Sequence, residues 1–210
     1  MTPIGNHEWH RYFWPASTVF KNRLRITDAG ELREIEYRMA ELRAREIRAG
    51  TRVLDRTFDG DHLKAIHSHL FGDIYDWAGQ YRTVNISKGG TGRDAHHFGD
   101  HSSMDMYLRQ VHRLINTTGW HDLGLDELAD ALAEVHTRLN FAHPFREGNG
   151  RTTRIFMQHL AQHAGATLDF GRVRADDWNA ASAATFLHPH GLRLDSAPLA
   201  TVYRDITARD

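Results

Sequence analysis

The chain has 210 residues, with 26 basic and 27 acidic side chains and a formal net charge of −1. Hydrophobic residues at 40% and charged residues at 25% are typical of a globular protein with its own core, which excludes a disordered chain. The balanced charge excludes an overall basic field, so we expect no direct binding to nucleic acid and no membrane partner.

The N-terminal residues, Met1–Arg11, are polar and lack the apolar core of a secretory signal. The sequence contains no apolar stretch of the length that spans a bilayer, and it contains no cysteine. These features predict a cytoplasmic protein without disulfides.

Two helices are predicted in the first third of the chain. In Asp28–Gly50, apolar residues recur at spacings of three and four, and Asp28 and Glu31 match a capping box. Charged residues on its other faces, including Glu36, are expected to face water. A second helix is predicted over Gly60–Phe71, where leucine and isoleucine recur at helical spacing.

The middle of the chain changes to the alternation of a β-strand, in Thr83–Ser87. A glycine-rich tip follows at residues 88–93, and residues 95–98 can return as a second strand. We predict an exposed β-hairpin in this region.

The remainder of the sequence has helical periodicity again. It predicts helices that end near Thr117, Ala142 and Gly165, and two more around Trp178–Phe186 and Pro198–Ile206. Together the elements predict an all-α fold, a helical bundle that carries a small β-hairpin.

The residues between two of these helices, His143–Arg154, read His-Pro-Phe-Arg-Glu-Gly-Asn-Gly-Arg-Thr-Thr-Arg. A helix that begins at about Gly150 leaves its first N–H groups unpaired, and its dipole stabilises an anionic phosphate at the preceding turn. We expect Gly148 and Gly150 to adopt backbone conformations that are closed to other residues. We also expect the Asn149 side chain to donate a hydrogen bond to the phosphate. The segment therefore predicts a phosphate-binding nest.

Charged and titratable side chains surround the predicted nest. Arg151 and Arg154 lie three residues apart on one helix, so each can bind a separate phosphate group of a diphosphate or triphosphate. The Glu147 carboxylate would repel such a ligand unless Mg²⁺ bridges the two. His143 is mostly neutral at pH 7 if its pKa is unperturbed, and it is the candidate general base for a hydroxyl nucleophile.

Each of these features also has a purely structural interpretation. A glycine-rich turn after a helix is often only a C-cap, and a single buried histidine is more often a core residue than a base. Their combination in twelve consecutive residues favours a nucleotide site.

The twelve residues match the pattern His-x-Phe-x-(Asp/Glu)-Gly-Asn-Gly-Arg-x-x-Arg at every position, and the chain resembles the Fic family of nucleotidyl transferases. Residues 70–82, which read Leu-Phe-Gly-Asp-Ile-Tyr-Asp-Trp-Ala-Gly-Gln-Tyr-Arg, are similar to the segment before that family's flap hairpin. On this resemblance, residues 1–210 form a single Fic domain. Its core spans about 28–190, its flap about 84–98 and its catalytic loop 143–154.

The resemblance implies that AMP is transferred from ATP to a Tyr, Ser or Thr hydroxyl of a target protein, with release of pyrophosphate. It implies that His143 deprotonates the hydroxyl and that Glu147 binds Mg²⁺ at the α- and β-phosphates. The implied nucleotide-binding residues are Gly148, Asn149, Gly150, Arg151 and Arg154, the last at the γ-phosphate. The flap residues expected to bind an extended target segment by strand addition are Ile86, Ser87 and Lys88.

Two further comparisons with the family refine the expected function. Doc-type relatives, which transfer the terminal phosphate, carry Ala at the position of Gly148, so AMP transfer is favoured here. Many Fic proteins are inhibited by a Ser/Thr-x-x-x-Glu-Gly/Asn helix. In this chain only Thr27 precedes a glutamate, Glu31, at that spacing, and Leu32 follows it instead of Gly or Asn. We therefore expect a toxin whose inhibitory helix comes from a separate small antitoxin protein; topoisomerase subunits are targets of some relatives of this kind.

Two other functions stay open on the sequence alone. In the first, the protein is a metal-dependent hydrolase that removes AMP from proteins or cleaves phosphodiesters, with Glu147 and a metal activating water. In the second, it is a nucleotide-binding module without turnover.

Overall fold

The structure is a computed structural model that describes residues 2–3, 7–88, 96–186 and 194–209. Helices dominate these residues. They are α1 (His7–His10), α2 (Ala29–Arg48), α3 (Gly60–Phe71), α4 (Met104–Thr117), α5 (Leu125–Ala142), α6 (Asn149–His163), α7 (Ala175–Ala184) and α8 (Ala197–Ile206). The short strands are β1 (Thr2–Pro3), β2 (Ile86–Lys88), β3 (His96–His97), β4 (Thr167–Leu168) and β5 (Thr207–Ala208).

Helices α2 to α8 lie close to the positions predicted from the sequence, whereas α1 was not predicted. Asp28 is the N-cap of α2, and its side chain accepts a hydrogen bond from the backbone N–H of Glu31. The bounds of α3 are those predicted, and α6 begins at Asn149, one residue earlier than expected. The predicted fold class, a helical bundle with a small β-hairpin, is confirmed. In the described ranges, no helix has the length and apolarity needed to cross a bilayer.

Helix α5 lies at the centre of the core and packs against α4, α6 and α8. Its Leu128, Leu132 and Val135 side chains are fully buried. Because α5 and α6 are both packed along their length, the loop that joins them is held between two fixed ends. This loop contains most of the motif.

The hairpin is formed by β2 and β3, which pair antiparallel with Ser87 opposite His97. Of its predicted tip, residues 88–93, only Lys88 lies within the described residues, where it is the last residue of β2. The expectation that the hairpin is exposed is wrong for its stem, because Ile86 and Phe98 are buried in a small second apolar cluster. Trp9 from α1 belongs to the same cluster, so the N-terminal segment covers the flap stem.

Strand β1 is an element that the sequence did not predict. Thr2 and Pro3 pair antiparallel with Ser87 and Ile86, on the edge of β2 opposite to β3. Both edges of β2 are therefore occupied, and the hairpin is the larger part of a three-stranded sheet.

Candidate active site

Buried groups hold the loop between α5 and α6 in one conformation. Phe145 is fully buried, and its backbone N–H and C=O both bond to the side-chain amide of Asn149, at 2.8 and 2.7 Å. His67 Nδ1 accepts the backbone N–H of Gly79, so His67 Nε2 carries the proton and donates to the carbonyl of Glu147 at 3.0 Å. Burial lowers the pKa of His67 to about 4, which keeps it in this neutral form. The sequence did not indicate His67 as part of the site.

Asn149 therefore differs from its predicted role. We expected its amide to donate to a phosphate, but both of its polar atoms are bonded to Phe145 and the residue is buried. Its function in this structure is to close the turn that precedes α6.

The two glycines of the turn have different structural requirements. Gly148 is the N-cap of α6 with φ of +77°, and a Cβ there would lie 2.4 Å from the ring of Phe71. The expectation of a restricted conformation is therefore correct for Gly148. It is wrong for Gly150, which is helical and has open space where a Cβ would be.

The N-terminus of α6 has the features of an anion site. The geometry of a helix leaves the N–H groups of its first residues without intrahelical acceptors. Here the Gly148 N–H bonds to Oε1 of Glu147 at 3.0 Å, at the edge of the same turn. A cavity of about 400 Å³ opens on this turn. It brings together the predicted residues Glu147, Gly148, Gly150, Arg151 and Arg154 and adds Phe170, Val173, Ala175, Trp178 and Asn179.

The two motif arginines approach this cavity from the same helix. The Cζ atom of Arg154 lies 4.2 Å from the ring centre of Phe170, and burial lowers its pKa. The Cζ atom of Arg151 lies 4.6 Å from the ring centre of Phe71. Each guanidinium therefore rests on an aromatic face, which limits the directions in which it can donate.

Arg151 has a carboxylate partner that the sequence did not reveal. Its Nη2 lies 2.5 Å from Oε1 of Glu36 and 3.9 Å from Oε1 of Glu147. Glu36 also accepts a hydrogen bond from the hydroxyl of Tyr75. The expectation that Glu36 faces water is wrong, because it is buried beside the first arginine of the motif.

His143 is the C-cap of α5, directly after its last residue, and it has a left-handed backbone with φ of 44°. Its ring stacks on Phe98 with the ring centres 3.8 Å apart. Burial, and next the charge of Arg82, lower the pKa of His143 to about 3, although a hydrogen bond with the backbone of Asn140 opposes the shift. Its Nε2 is buried and has no hydrogen-bond partner among the described residues. The imidazole is thus neutral at pH 7.

The three predicted flap residues differ in accessibility. Ile86 and Ser87 are buried, whereas Lys88 is exposed. The charge of Lys88 also contributes to the low pKa of His143, so β2 passes close to the imidazole. The side chains of Ile86 and Ser87 are therefore inside the protein and are not presented to a target segment.

Mostly helical packing around an anion nest, with an imidazole at the preceding helix end, defines a nucleotide-binding domain of the Fic type. The sequence pattern of the Fic/DOC family matches residues 57–161, which is half of the chain. The chain belongs to the Fic/DOC family.

Relatives and solved structures agree with this assignment. The chain is 35% identical over 83% of its length to "Protein adenylyltransferase VbhT" of Bartonella schoenbuchensis, of which the match covers only 35%. It is 34% identical over 81% of its length to "Probable protein adenylyltransferase Fic" of Salmonella typhimurium, of which 82% is covered. It is similar to the BepC protein of Bartonella tribocorum with bound AMPPNP, at a TM-score of 0.85 and 27% identity, with 98% of this chain and 100% of that chain covered.

A second solved structure has the same degree of similarity. It is the N-terminal Fic domain of a putative cell filamentation protein from Bartonella quintana with bound ADP, at a TM-score of 0.85 and 28% identity. The similarity covers 97% of each chain. The predicted family is confirmed, and the activity predicted from the sequence is the one named for the curated relatives.

Proposed function

We propose that this chain is a protein adenylyltransferase that transfers AMP from ATP to a Tyr, Ser or Thr hydroxyl of a target protein. The observation that carries the proposal is the cavity at the start of α6, which is lined by Gly148, Gly150, Arg151 and Arg154. These residues follow the candidate base, His143, by five to eleven positions in the sequence. Gly148 favours AMP transfer over transfer of the terminal phosphate, because Doc-type relatives carry Ala at this position.

The residues present account for each part of the transfer. The free N–H groups of α6 bind the α- and β-phosphates, and Arg151 and Arg154 bind the outer ones, with Arg154 at the γ-phosphate. His143 accepts the proton of the target hydroxyl while the oxygen of that hydroxyl forms a bond to the α-phosphorus. The bond between the α-phosphorus and the bridging oxygen breaks, and pyrophosphate leaves. The negative phosphates raise the pKa of His143 from its low value in the free protein, which restores its strength as a base.

Mg²⁺ fits the charge of this site. The carboxylate of Glu147 borders the cavity, one of its oxygens accepts the Gly148 N–H, and its side chain is about one-third exposed (37%). Mg²⁺ commonly binds through one or two carboxylates together with phosphate oxygens and water. Glu147 would hold the ion, which would supply positive charge to the phosphates during the transfer.

The target would bind to the main chain of the flap. Because Ile86 and Ser87 are buried, recognition here depends on backbone hydrogen bonds and on the exposed Lys88. Strand addition requires a free edge, and β1 occupies one edge of β2. An incoming segment therefore displaces Thr2–Pro3 or pairs on the far side of β3.

We also propose that the protein is the toxin of a toxin–antitoxin pair. A groove of about 280 Å³ between α2 and α6 is lined by Arg48, Arg151 and Arg154 and by the exposed Tyr37. The Glu41 carboxylate, which pairs with Arg48, also lines it, so the arginines outnumber the acidic side chains among its lining residues. An acidic helix of a small antitoxin protein would fit this basic groove and withdraw the motif arginines from ATP.

Because ATP is the co-substrate, the reaction belongs in a cytoplasm, and a topoisomerase subunit is the first target to assay. Unaccompanied expression is expected to arrest growth, and His143→Ala to relieve it; an equally toxic variant would contradict the toxin role.

One experiment distinguishes the proposed activity from the two alternatives. The protein is incubated with α-³²P-labelled ATP, Mg²⁺ and cell lysate. Label on a lysate protein supports transfer, and identification of the labelled band names the target. Release of label from a previously labelled protein would support a hydrolase, and ATP that is bound but unreacted would support a binding module.

A further inference from the structure

Arg82 is a buried arginine, with 2% of its surface exposed, that lies between the flap and the catalytic loop. On the flap side its guanidinium donates to the carbonyls of Val84, at 2.7 Å, and of Gly99. On the loop side it donates to the carbonyls of His143, at 2.9 Å, and of Ala142, at 3.2 Å. One side chain thus joins both ends of the described flap stem to the end of α5.

The environment of Arg82 is unusual for a buried charge. Burial lowers its pKa to about 10, although the charge of the Asp100 carboxylate opposes this shift without a direct hydrogen bond among the described contacts of Arg82. It therefore remains charged at neutral pH with backbone carbonyls as its main acceptors. A buried charge is expensive, and an apolar residue would fill the same space at lower cost. Packing alone does not explain an arginine here.

On the loop side, Arg82 binds the carbonyls of Ala142 and His143, which lie at the end of α5. The last carbonyls of a helix have no intrahelical partner, and His143 leaves α5 in a left-handed conformation. The backbone N–H of Arg82 adds a further bond to the carbonyl of Pro144, at 2.9 Å. The conformation of the residue that carries the imidazole is therefore held by Arg82.

We infer that Arg82 is a positioning residue for AMP transfer, which fixes the backbone of His143 and the flap stem in one arrangement. The inference rests on the proposed function and adds a residue to it. Arg82 does not touch substrate, and it acts through the carbonyls that it binds. Its planar, forked guanidinium reaches acceptors on both sides, which the single ammonium of a lysine cannot do.

The charge of Arg82 has a second effect on the imidazole. Arg82, from the segment before β2, and Lys88, from β2, both disfavour a proton on His143, and the ring of Phe98 stacks on the imidazole. Loss of the Arg82 charge raises the pKa of His143. A change in the pH dependence of transfer therefore distinguishes this role from a general loss of stability.

The test compares Arg82→Lys, which keeps the charge, with Arg82→Met, which removes it. We expect the rate of transfer from α-³²P-ATP to lysate proteins at saturating ATP to fall about 100-fold in both. The affinity for ATP, measured by calorimetry, is expected to change less than about twofold, because the nucleotide cavity does not include Arg82. The acid limb of the pH profile is expected to move to higher pH in Arg82→Met only.

Arg209 supplies the matched control, because its guanidinium also donates to two backbone carbonyls, those of Leu123 and Trp120, away from the site. Arg209→Lys and Arg209→Met are expected to transfer AMP at the wild-type rate. Wild-type activity in Arg82→Lys, or parallel losses of rate and ATP affinity, would overturn the inference.

A measurement that does not need turnover separates this inference from the proposed function. The protonation of His143 is followed by NMR in the wild type and in Arg82→Met. The wild-type imidazole is expected to stay neutral down to about pH 5, with the midpoint about one unit higher in the variant than in the wild type. If the wild type transfers no AMP, the proposed function fails and this titration alone decides the role of Arg82: an unchanged midpoint refutes it.

Discussion

The guanidinium of Arg151 lies 2.5 Å from Oε1 of Glu36, so a carboxylate of α2 already binds the first arginine of the motif. The same carboxylate accepts a hydrogen bond from the hydroxyl of Tyr75. Glu36 and Tyr75 both line a cavity of about 420 Å³ that Glu147 also borders. If Arg151 binds a phosphate as proposed, the incoming triphosphate would compete with Glu36 for its guanidinium.

Glu36→Gln is expected to tighten ATP binding at least about fivefold, since it removes a negative charge near the phosphates and keeps the volume of the side chain. The dissociation constant for ATP, measured by calorimetry, checks this. Glu34→Gln is the matched control on the same helix, because Glu34 pairs with Arg38 at the surface. Weaker binding in Glu36→Gln would mean that Glu36 orients Arg151 for the phosphate instead of competing with it.

The two glycines of the turn give a paired prediction. Gly148→Ala places a Cβ 2.4 Å from the ring of Phe71 at a φ of +77°, and we expect a loss of about 2 kcal/mol or more in the free energy of unfolding. Gly150→Ala is expected to unfold at the same or higher urea concentration, because alanine is favoured in a helix and meets open space. Equal stabilities of the two variants would contradict the structure of the turn.

Arg146 links the catalytic loop to the N-terminal segment. Its Cζ lies 3.5 Å from the ring centre of Trp9 and 4.6 Å from that of Phe20, and the residue is buried. Trp9→Ala is expected to lower the free energy of unfolding by about 3 kcal/mol, because it removes a buried ring and part of the surroundings of a buried cation.

Urea unfolding of Trp9→Ala and Trp9→Phe measures this effect. The phenylalanine retains an aromatic face for the guanidinium and should recover more than half of the loss. If both variants are as stable as the wild type, the N-terminal segment does not hold the loop.

Removal of β1 is expected to assist target binding. A chain that begins at His7 lacks the strand paired with β2, so one edge of the flap becomes free for a target segment. At limiting lysate concentration, labelling from α-³²P-ATP should increase, while the affinity for ATP stays the same. Reduced labelling at unchanged ATP affinity would show that β1 forms part of the target site.

The buried histidines predict a loss of stability in acid. The pKa is lowered by burial in His62, His67 and His136 to about 4 and in His159 to about 3. The unfolded chain binds protons at its ordinary histidine pKa of about 6.5, whereas the folded chain does not until pH 4 or below. Their contribution is therefore complete above about pH 6.5 and decreases as the pH falls towards 4.

At pH 5.5 we expect a loss of about 1 kcal/mol for each of these histidines relative to pH 7.5, measured by urea unfolding. His136→Gln should show a smaller decrease between the two pH values than the wild type. The same stability at both pH values would contradict the neutral, buried state of these side chains.

Local patterns predicted the elements and the motif, because both depend on residues close together in the sequence. Helical periodicity predicted α3 with the bounds that the structure has. The twelve residues from His143 onwards form one continuous segment, a loop and the start of α6. The difference between Gly148 and Gly150 could not be predicted, because it depends on the ring of Phe71 in another helix.

The supporting residues were missed because their contacts join distant parts of the chain. Glu36 is 115 residues from Arg151, His67 is 80 from Glu147, and Arg82 is 61 from His143. No spacing rule connects such pairs. Arg82 did have one signal, since it ends the segment from residue 70 that is similar to the family.

The most direct test of the proposed activity uses ATP labelled in turn at the α- and γ-phosphates, with wild-type protein and His143→Ala. We expect a lysate protein to receive label from α-labelled ATP and none from γ-labelled ATP, and we expect His143→Ala to transfer neither although it still binds ATP. Label from the γ-phosphate, or undiminished α-label in His143→Ala, would contradict the proposed activity.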